Sequence, residues 1–288
     1  ATSVTIKERL DFSCALFDRE GALIANAPHI PVHLGSMGDS IARVIEQRGG
    51  ARDGRGFRRG DAYVLNDPFH GGTHLPDITV IVPVFFDEEA DEPDAFVAAR
   101  GHHADIGGIA PGSMPPESRT IEEEGVMIDN LLMVDEGTFR EDAVRQALAS
   151  AEYPARNPGR NLSDLRAQLA ACTRGNELLQ AAARDQGGEV VNAYMNHVLA
   201  NAEESVRRLL GKLDDGSFAY EMDSGAVVKV AIRIDRDNRS AVFDFTGTSE
   251  QRPNNFNAPR SITRAAALYV LRTLIDDAIP MNDGCLRP

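Results

Sequence analysis

The sequence predicts a mixed α/β chain of the α+β kind, with strands first, helices in the middle, and a strand hairpin plus helix at the end. Three observations carry this reading. Short apolar runs bounded by Gly, Pro and Asp fill the first hundred positions, as buried strands require. Apolar residues then recur at helical spacing from Arg140 to Leu213. Beyond them, apolar runs return on both sides of Asp235-Arg236-Asp237-Asn238, a hairpin turn. With 288 residues and 42% hydrophobic content, the chain can bury a sizeable core, which excludes wholesale disorder.

The elements follow in order. Asp11–Phe17 and Ala22–Ala25 flank Gly21 and read as a hairpin. Pro28-His29-Ile30-Pro31-Val32-His33 reads as a rigid extended stretch, and Gly38–Glu46 as a helix, with Ile41, Val44 and Ile45 on one side and Gly49-Gly50 ending it. Ala62–Leu65, Ile78–Val82 and Phe96–Ala99 are near-continuous apolar runs, suited to strands buried on both faces. The acidic run Asp87–Asp94 between the last two reads as a solvated hairpin loop. In the helical section, Val144, Leu148, Leu162, Leu165, Leu169 and Cys172 form one stripe, and Val191, Tyr194, Val198, Ala202, Val206 and Leu209 another. Asn161 or Ser163 offers an N-cap there, and Gly175 and Gly187-Gly188 offer breaks. Strands are expected at Ala226–Ile234 and Ala241–Phe245, and a last helix from Ser261 or Thr263 through Leu274. The expected organisation is a strand-rich region over 1–139, a helical section over 140–214, and a hairpin-plus-helix section over 215–288.

Composition excludes several functions. Lys and Arg number 30 against 44 Asp and Glu, a formal charge of −14, which argues against nucleic-acid binding because a phosphate backbone needs a basic face. No apolar stretch is long enough to span a membrane and no signal peptide opens the chain, so a cytoplasmic location is expected. Cys14, Cys172 and Cys285 lie far apart and without CxxC spacing, consistent with a reducing compartment. Phosphate-loop, GxSxG, HExxH and strand-linked GxGxxG patterns are absent, so ATP has no obvious holder here. The opening Ala1-Thr2-Ser3 lacks Met, and the chain stops at Arg287-Pro288 after an apolar stretch; neither end reads as a natural terminus.

Six of the 7 histidines, His29, His33, His70, His74, His102 and His103, fall between residues 29 and 103. His74 and Asp77 stand three apart in a turn entering a strand, and a hairpin through the acidic loop would return His102 beside Asp77. Two imidazoles and a carboxylate on adjacent strand ends make a three-ligand site with open positions, suited to Zn²⁺, Mn²⁺ or Fe²⁺. The plainer alternative is that these histidines cap turns in glycine-rich loops. His29 and His33 either line the same pocket or serve the structure, and His197 is read as structural.

Several strings resemble the hydantoinase B/oxoprolinase family. They include Lys7-Glu8-Arg9-Leu10-Asp11-Phe12-Ser13-Cys14, Pro28-His29-Ile30-Pro31-Val32-His33-Leu34-Gly35-Ser36-Met37 and Asn66-Asp67-Pro68-Phe69-His70-Gly71-Gly72-Thr73-His74-Leu75-Pro76-Asp77. Gly101-His102-His103-Ala104-Asp105-Ile106-Gly107-Gly108 and Asn257-Ala258-Pro259-Arg260-Ser261 belong to the same set. The resemblance covers nearly the whole chain and implies the front part of a longer subunit, lacking a short N-terminal helix and the C-terminal part. It implies a catalytic subunit in a hetero-oligomer with a hydantoinase A-type, actin-like ATP-binding partner, opening cyclic amides at the expense of ATP. Carried over, the metal ligands are His74, Asp77 and His102, with Asp11 as a less direct fourth.

The expected mechanism has the partner phosphorylate the substrate carbonyl oxygen, and a water or hydroxide on a divalent metal (Zn or Mn, or else Fe) attack the activated carbon. His103 or Asp105 is expected to orient or deprotonate that water, and His70 or Asp67 to support the ligands from behind. Two other functions compete: a subunit of an ATP-dependent acetone- or acetophenone-type ketone carboxylase, and a non-catalytic assembly subunit. The hydrolase is favoured because the full Asn66–Asp77 string and the second histidine of His102-His103 are typical of the hydantoinase branch.

Overall fold

The early apolar runs become one antiparallel sheet. The computed structural model describes residues 1–27, 30–276 and 278–288. A short helix α1 (Val4–Lys7) precedes β1 (Phe12–Asp18) and β2 (Leu23–Asn26), the expected first hairpin. The long helix α2 (Pro31–Arg48) follows, then β3 (Ala62–Leu65), β4 (Asp77–Val84), β5 (Ala95–His102), β6 (Leu131–Asp135) and β7 (Thr138–Phe139). The seven strands lie in the order β2-β1-β5-β4-β3-β6-β7. The acidic run turns between β4 and β5, which pair from Asp77↔His102 to Val84↔Ala95.

Both faces of this sheet are covered, which explains why β3 and β4 read as unbroken apolar runs. On one face Phe17, Tyr63, Ile81, Phe96 and Ala98 pack against Met37, Ile41 and Val44 of α2. On the other, Val80, Val82, Val97 and Ala99 pack against Leu162, Leu165, Cys172 and Leu179. The latter belong to α4 (Pro158–Gln186), which with α3 (Glu141–Ala149) and α5 (Gly188–Leu210) forms the helical section. Cys14 lies within β1, half-buried against this core.

Several local expectations need correction. The helix read at Gly38 begins at Pro31, where a residue without N–H fits the first turn, so His33 is helical rather than extended. The expectation that His29 lines the pocket lies outside the described residues. The α4 N-cap is Asn157, whose side chain accepts from Arg160 N, rather than Asn161 or Ser163. Gly175 does not break α4; a Cβ there would stand 3.2 Å from Val97 Cγ1, so its bare backbone lets the helix lie close to β5. Gly187, at φ +93°, does separate α4 from α5.

The final section holds a second sheet, β8 (Gly216–Glu221), β9 (Val227–Asp235) and β10 (Ser240–Asp244), in the order β10-β9-β8. The expected β9–β10 hairpin gains β8 as a third strand, unread because its six residues are exposed on both faces and carry no burial pattern. Helix α6 (Arg260–Thr273) packs on α2 so closely that a Cβ on Gly35 would stand 2.3 Å from Ala265 Cα. Among the described residues no helix is long and apolar enough to cross a membrane.

The turn into β3 carries a testable stabilising device. Asp61, 1% exposed, accepts from both terminal nitrogens of Arg55 at 2.6 and 2.8 Å, from the Tyr63 hydroxyl at 2.7 Å, and from Arg58 N and Glu136 N. Burial works against its charge, but Arg55, Tyr63 and Glu136 N hold its carboxyl below the usual carboxylate range. A carboxyl depressed in the folded state stabilises above its unfolded value and loses that contribution as pH falls through the folded one. Asp61→Ala is therefore expected to cost roughly 3 kcal/mol in urea unfolding near neutral pH, by stranding donors that met it. The gap to the parent should shrink in strong acid.

Candidate metal centre

Strand register builds the site. Asp77 opens β4 and stands opposite His102, the last residue of β5, so their side chains meet at one end of the sheet. Ahead of Asp77 the chain makes a tight turn, with Asp77 N donating to His74 O at 3.1 Å, which returns the His74 ring to the same end. On the other side of β5, His102 N donates to Asp11 O at 3.0 Å, bringing Asp11 alongside. The glycine-rich loop that carries His74 is pressed onto α2. A Cβ on Gly71, at φ +92°, would stand 2.3 Å from Ser40 N.

Asp77 is the hub, with 0% exposure. Its Oδ1 faces His102 Nδ1 at 3.2 Å, while its Oδ2 faces His33 Nε2 at 3.0 Å and Thr73 Oγ1 at 2.8 Å. His74 Nδ1 lies 3.4 Å from Oδ2, and the His74 and His102 rings sit 5.0 Å apart. Asp11 places its two oxygens 3.8 Å from His33 Nε2 and 3.8 Å from His102 Nδ1. Burial opposes the charge of Asp77, but hydrogen bonds from His102 and His33 and the nearby imidazoles hold its carboxyl well below the ordinary range. Burial pushes the His74 imidazole down, so it stays neutral with a lone pair to give. For His102, burial is outweighed by the Asp77 hydrogen bond and the charges of Asp77 and Asp11, and its proton is held to higher pH.

This donor set fits a divalent cation. Ligand atoms of His74, Asp77 and His102 lie within 4.8 Å of one another, as do those of Asp11, His33 and Asp77. An ionised, fully buried carboxylate among imidazoles and a second carboxylate is the chemistry that Zn²⁺ and Mn²⁺ accept. The structure thus brings together the four residues that the sequence reading put forward as ligands.

The residues expected to handle protons, His103 and Asp105, and those expected to support the ligands, His70 and Asp67, are engaged elsewhere. His103 is fully buried, with Nε2 at 2.9 Å from Gln168 Oε1 and Nδ1 at 3.1 Å from Asn161 Nδ2, so neither ring nitrogen is free to take a proton from water. Asp105 accepts from Gly107 N, Gly112 N and Arg156, closing a loop. His70 pairs with Asp67 at 2.6 Å in a separate cluster with Asp129, which is itself held by Arg43. It lines a cavity of about 510 Å³ formed with Asp39, Arg43, Phe69 and Arg260.

Of two further residues at the site, the sequence leaves one open between two roles and does not mark the other. His33 is pocket-lining or structural by sequence, and the structure sets it in the first turn of α2, 3.0 Å from Asp77 Oδ2; Pro31 at the first helical position is the sequence signal for that helix start. Arg100, at 0% exposure, donates to Thr79 Oγ1, Ser36 Oγ, Ser40 Oγ and Gly71 O. A lone arginine closing the apolar run Phe96–Ala99 was its only trace.

Comparison with known proteins gives a consistent picture. The profile of the hydantoinase B/oxoprolinase family matches residues 1–288. The 5-oxoprolinase of Dictyostelium discoideum is 44% identical over 295 residues, covering 99% of this chain and 22% of that protein. Among solved structures, the ATP-dependent caprolactamase of Pseudomonas jessenii aligns with a TM-score of 0.79 at 26% identity, over 96% of this chain and 47% of the other. A nucleotide-free acetone carboxylase aligns with a TM-score of 0.84 at 21% identity, over 99% of this chain and 39% of the other, a likeness of fold. The chain thus spans about a fifth to a half of the length of these proteins.

Proposed function

The chain belongs to the hydantoinase B/oxoprolinase family, and from that premise we propose that it carries the metal site of an ATP-dependent cyclic-amide hydrolase of the hydantoinase or 5-oxoprolinase type. The observation that carries this reading is the convergence of His74, Asp77 and His102 at the sheet's end, with Asp11 3.8 Å from His102. A cation held there would supply a Lewis acid and lower the pKa of a water beside the ring carbonyl carbon. Asp77 fixes the charge of the site, His74 gives a neutral nitrogen donor, His102 would give one once a cation displaces its proton, and Asp11 lies alongside on the β1 side. With His103 and Asp105 engaged elsewhere, proton handling falls to the cluster itself, where Asp11 is the more exposed carboxylate, its side chain 29% exposed against 1% for Asp77.

Activation of the ring carbonyl is assigned to a hydantoinase A-type ATP-binding partner, separate or fused, because the similar proteins include an ATP-dependent caprolactamase and are longer than this chain. Likeness to an ATP-dependent caprolactamase and to 5-oxoprolinases supports a lactam-like substrate. The test is to express the full-length protein with its ATP-binding partner and follow ADP release with 5-oxoproline, hydantoin and caprolactam. Ring opening of at least one, dependent on ATP, is expected. Ketone-dependent fixation of labelled bicarbonate, with no ring opened, would overturn the reading in favour of a carboxylase.

A further inference from the structure

The metal reading employs His74, Asp77, His102 and Asp11 and leaves His33 without a part. The His33 side chain is 1% exposed, whereas those of His74 and His102 are 33% and 15% exposed, so His33 lies on the sealed side of Asp77. Its Nε2 stands 3.0 Å from Asp77 Oδ2 and its Nδ1 2.9 Å from Ser13 Oγ. A nitrogen lone pair set against a carboxylate oxygen at that distance is repelled, so Nε2 carries the hydrogen and donates. In the neutral ring Nδ1 is then the acceptor, and the Ser13 hydroxyl, buried in β1, donates to it.

The same bookkeeping extends through Thr73. Its hydroxyl donates to Asp77 Oδ2 at 2.8 Å, which leaves Oγ1 as acceptor for His74 Nδ1–H at 3.1 Å. His74 is thereby set in the tautomer whose Nε2 lone pair is unengaged. Asp77 Oδ2 receives two donors, and Oδ1 faces His102 Nδ1 at 3.2 Å, whose hydrogen a cation shared by the two groups would displace.

We propose that His33 is a positioning residue: with Ser13 behind it and Thr73 beside it, it fixes the tautomer and carboxylate orientation of the metal centre and is not itself a ligand. The Asp11–His33–Asp77 group is in consequence the support of one cation site and not a second site. This inference rests on the metal reading above, and its test separates the two.

Zinc and manganese affinity and ions per chain would be measured on the full-length protein by chelator competition and elemental analysis. One ion per chain is expected for the parent and for His33→Ala, His33→Gln and Ser13→Ala. Affinity should fall about 10–100-fold in His33→Ala, as loss of a partner orienting a ligand does. It should fall less in His33→Gln, whose amide still donates, and also in Ser13→Ala. If His33→Ala does not fold, the two conservative variants carry the comparison. Unchanged affinity with only a lower melting temperature of the metal-free protein would reduce His33 to packing and overturn the proposal. Two ions per parent chain, one lost in the His33 variants, would make His33 a ligand and also overturn it. A folded parent retaining neither metal is a different result, which removes the metal reading itself and this inference with it.

Discussion

Asp77→Asn is expected to abolish metal retention through dialysis and to lower ATP-dependent ring opening by about 10³-fold or more, the size of several kcal/mol of lost Lewis-acid stabilisation. The substitution keeps the shape of the side chain but removes the one fully buried anion of the site. It also places an NH₂ where one of the oxygens now meets Thr73, His33 or His102. The fold should survive, at a cost of roughly 1–3 kcal/mol for the mismatched hydrogen bond. Elemental analysis and product formation measure the two effects. Asp105→Asn is the control: its carboxylate serves Arg156 and loop amides, so that variant should keep its metal. Full metal and full activity in Asp77→Asn would end the metal reading.

The same centre gives a pH dependence with a definite sign. His102 holds its proton to higher pH than an ordinary histidine because Asp77 and Asp11 outweigh the effect of its burial. A cation must displace that proton, so apparent metal affinity should rise as pH climbs through the raised His102 value and collapse on acidification. Chelator competition across the neutral-to-acid range measures it.

The second large effect is expected of Arg100→Met. Arg100 stands opposite Thr79, two positions inward from the Asp77–His102 pair, and its guanidinium is fully buried. It joins β4 through Thr79 at 2.7 Å, α2 through Ser36 at 2.5 Å and Ser40 at 2.8 Å, and the glycine-rich loop through Gly71 O at 3.1 Å. Burial lowers its pKa to about 10, with Asp77 and Asp39 working against the fall, so it remains a cation at neutral pH. Methionine fills similar volume but leaves these acceptors without their donor and the buried Asp77 without its nearby fixed positive charge. Loss of one partner from such a network costs about 3–5 kcal/mol, which for a chain of this size lowers the melting temperature by roughly 10 °C. Arg100→Lys should rescue little, because one ammonium cannot reach Thr79, Ser36, Ser40 and Gly71 together. A melting temperature within a degree or two of the parent would show that the network contributes little.

How much of this was legible beforehand varies with the kind of signal. Ala62–Leu65, Ile78–Val82 and Phe96–Ala99 were readable as strands because a sheet covered on both faces needs apolar residues at every position, and a continuous run states that directly. β8 was not, since its exposed residues carry no burial pattern for a sequence to record. Residue type alone does not set the start of α4, because Asn161 and Ser163 are as good N-caps by type as Asn157; what selects Asn157 is Pro158 after it and the use of the Asn161 side chain to donate to Asp105 O.

The site divides in the same way. His74, Asp77 and His102 could be named from sequence because the geometry behind them is local: a three-residue turn and one hairpin whose register follows from its two apolar strands. By itself the sequence thus determined the fold class, the hairpin and the identity of the three central ligand candidates. Tertiary structure alone decided the rest. It brought Asp11 beside β5 and His33 from the first turn of α2 to the back of Asp77, and it turned His103 away to Gln168 and Asn161. The physical reason is that a side chain's chemistry is set by what meets its polar atoms. For a buried imidazole or guanidinium those partners lie tens of residues away, where neither spacing nor periodicity reports them.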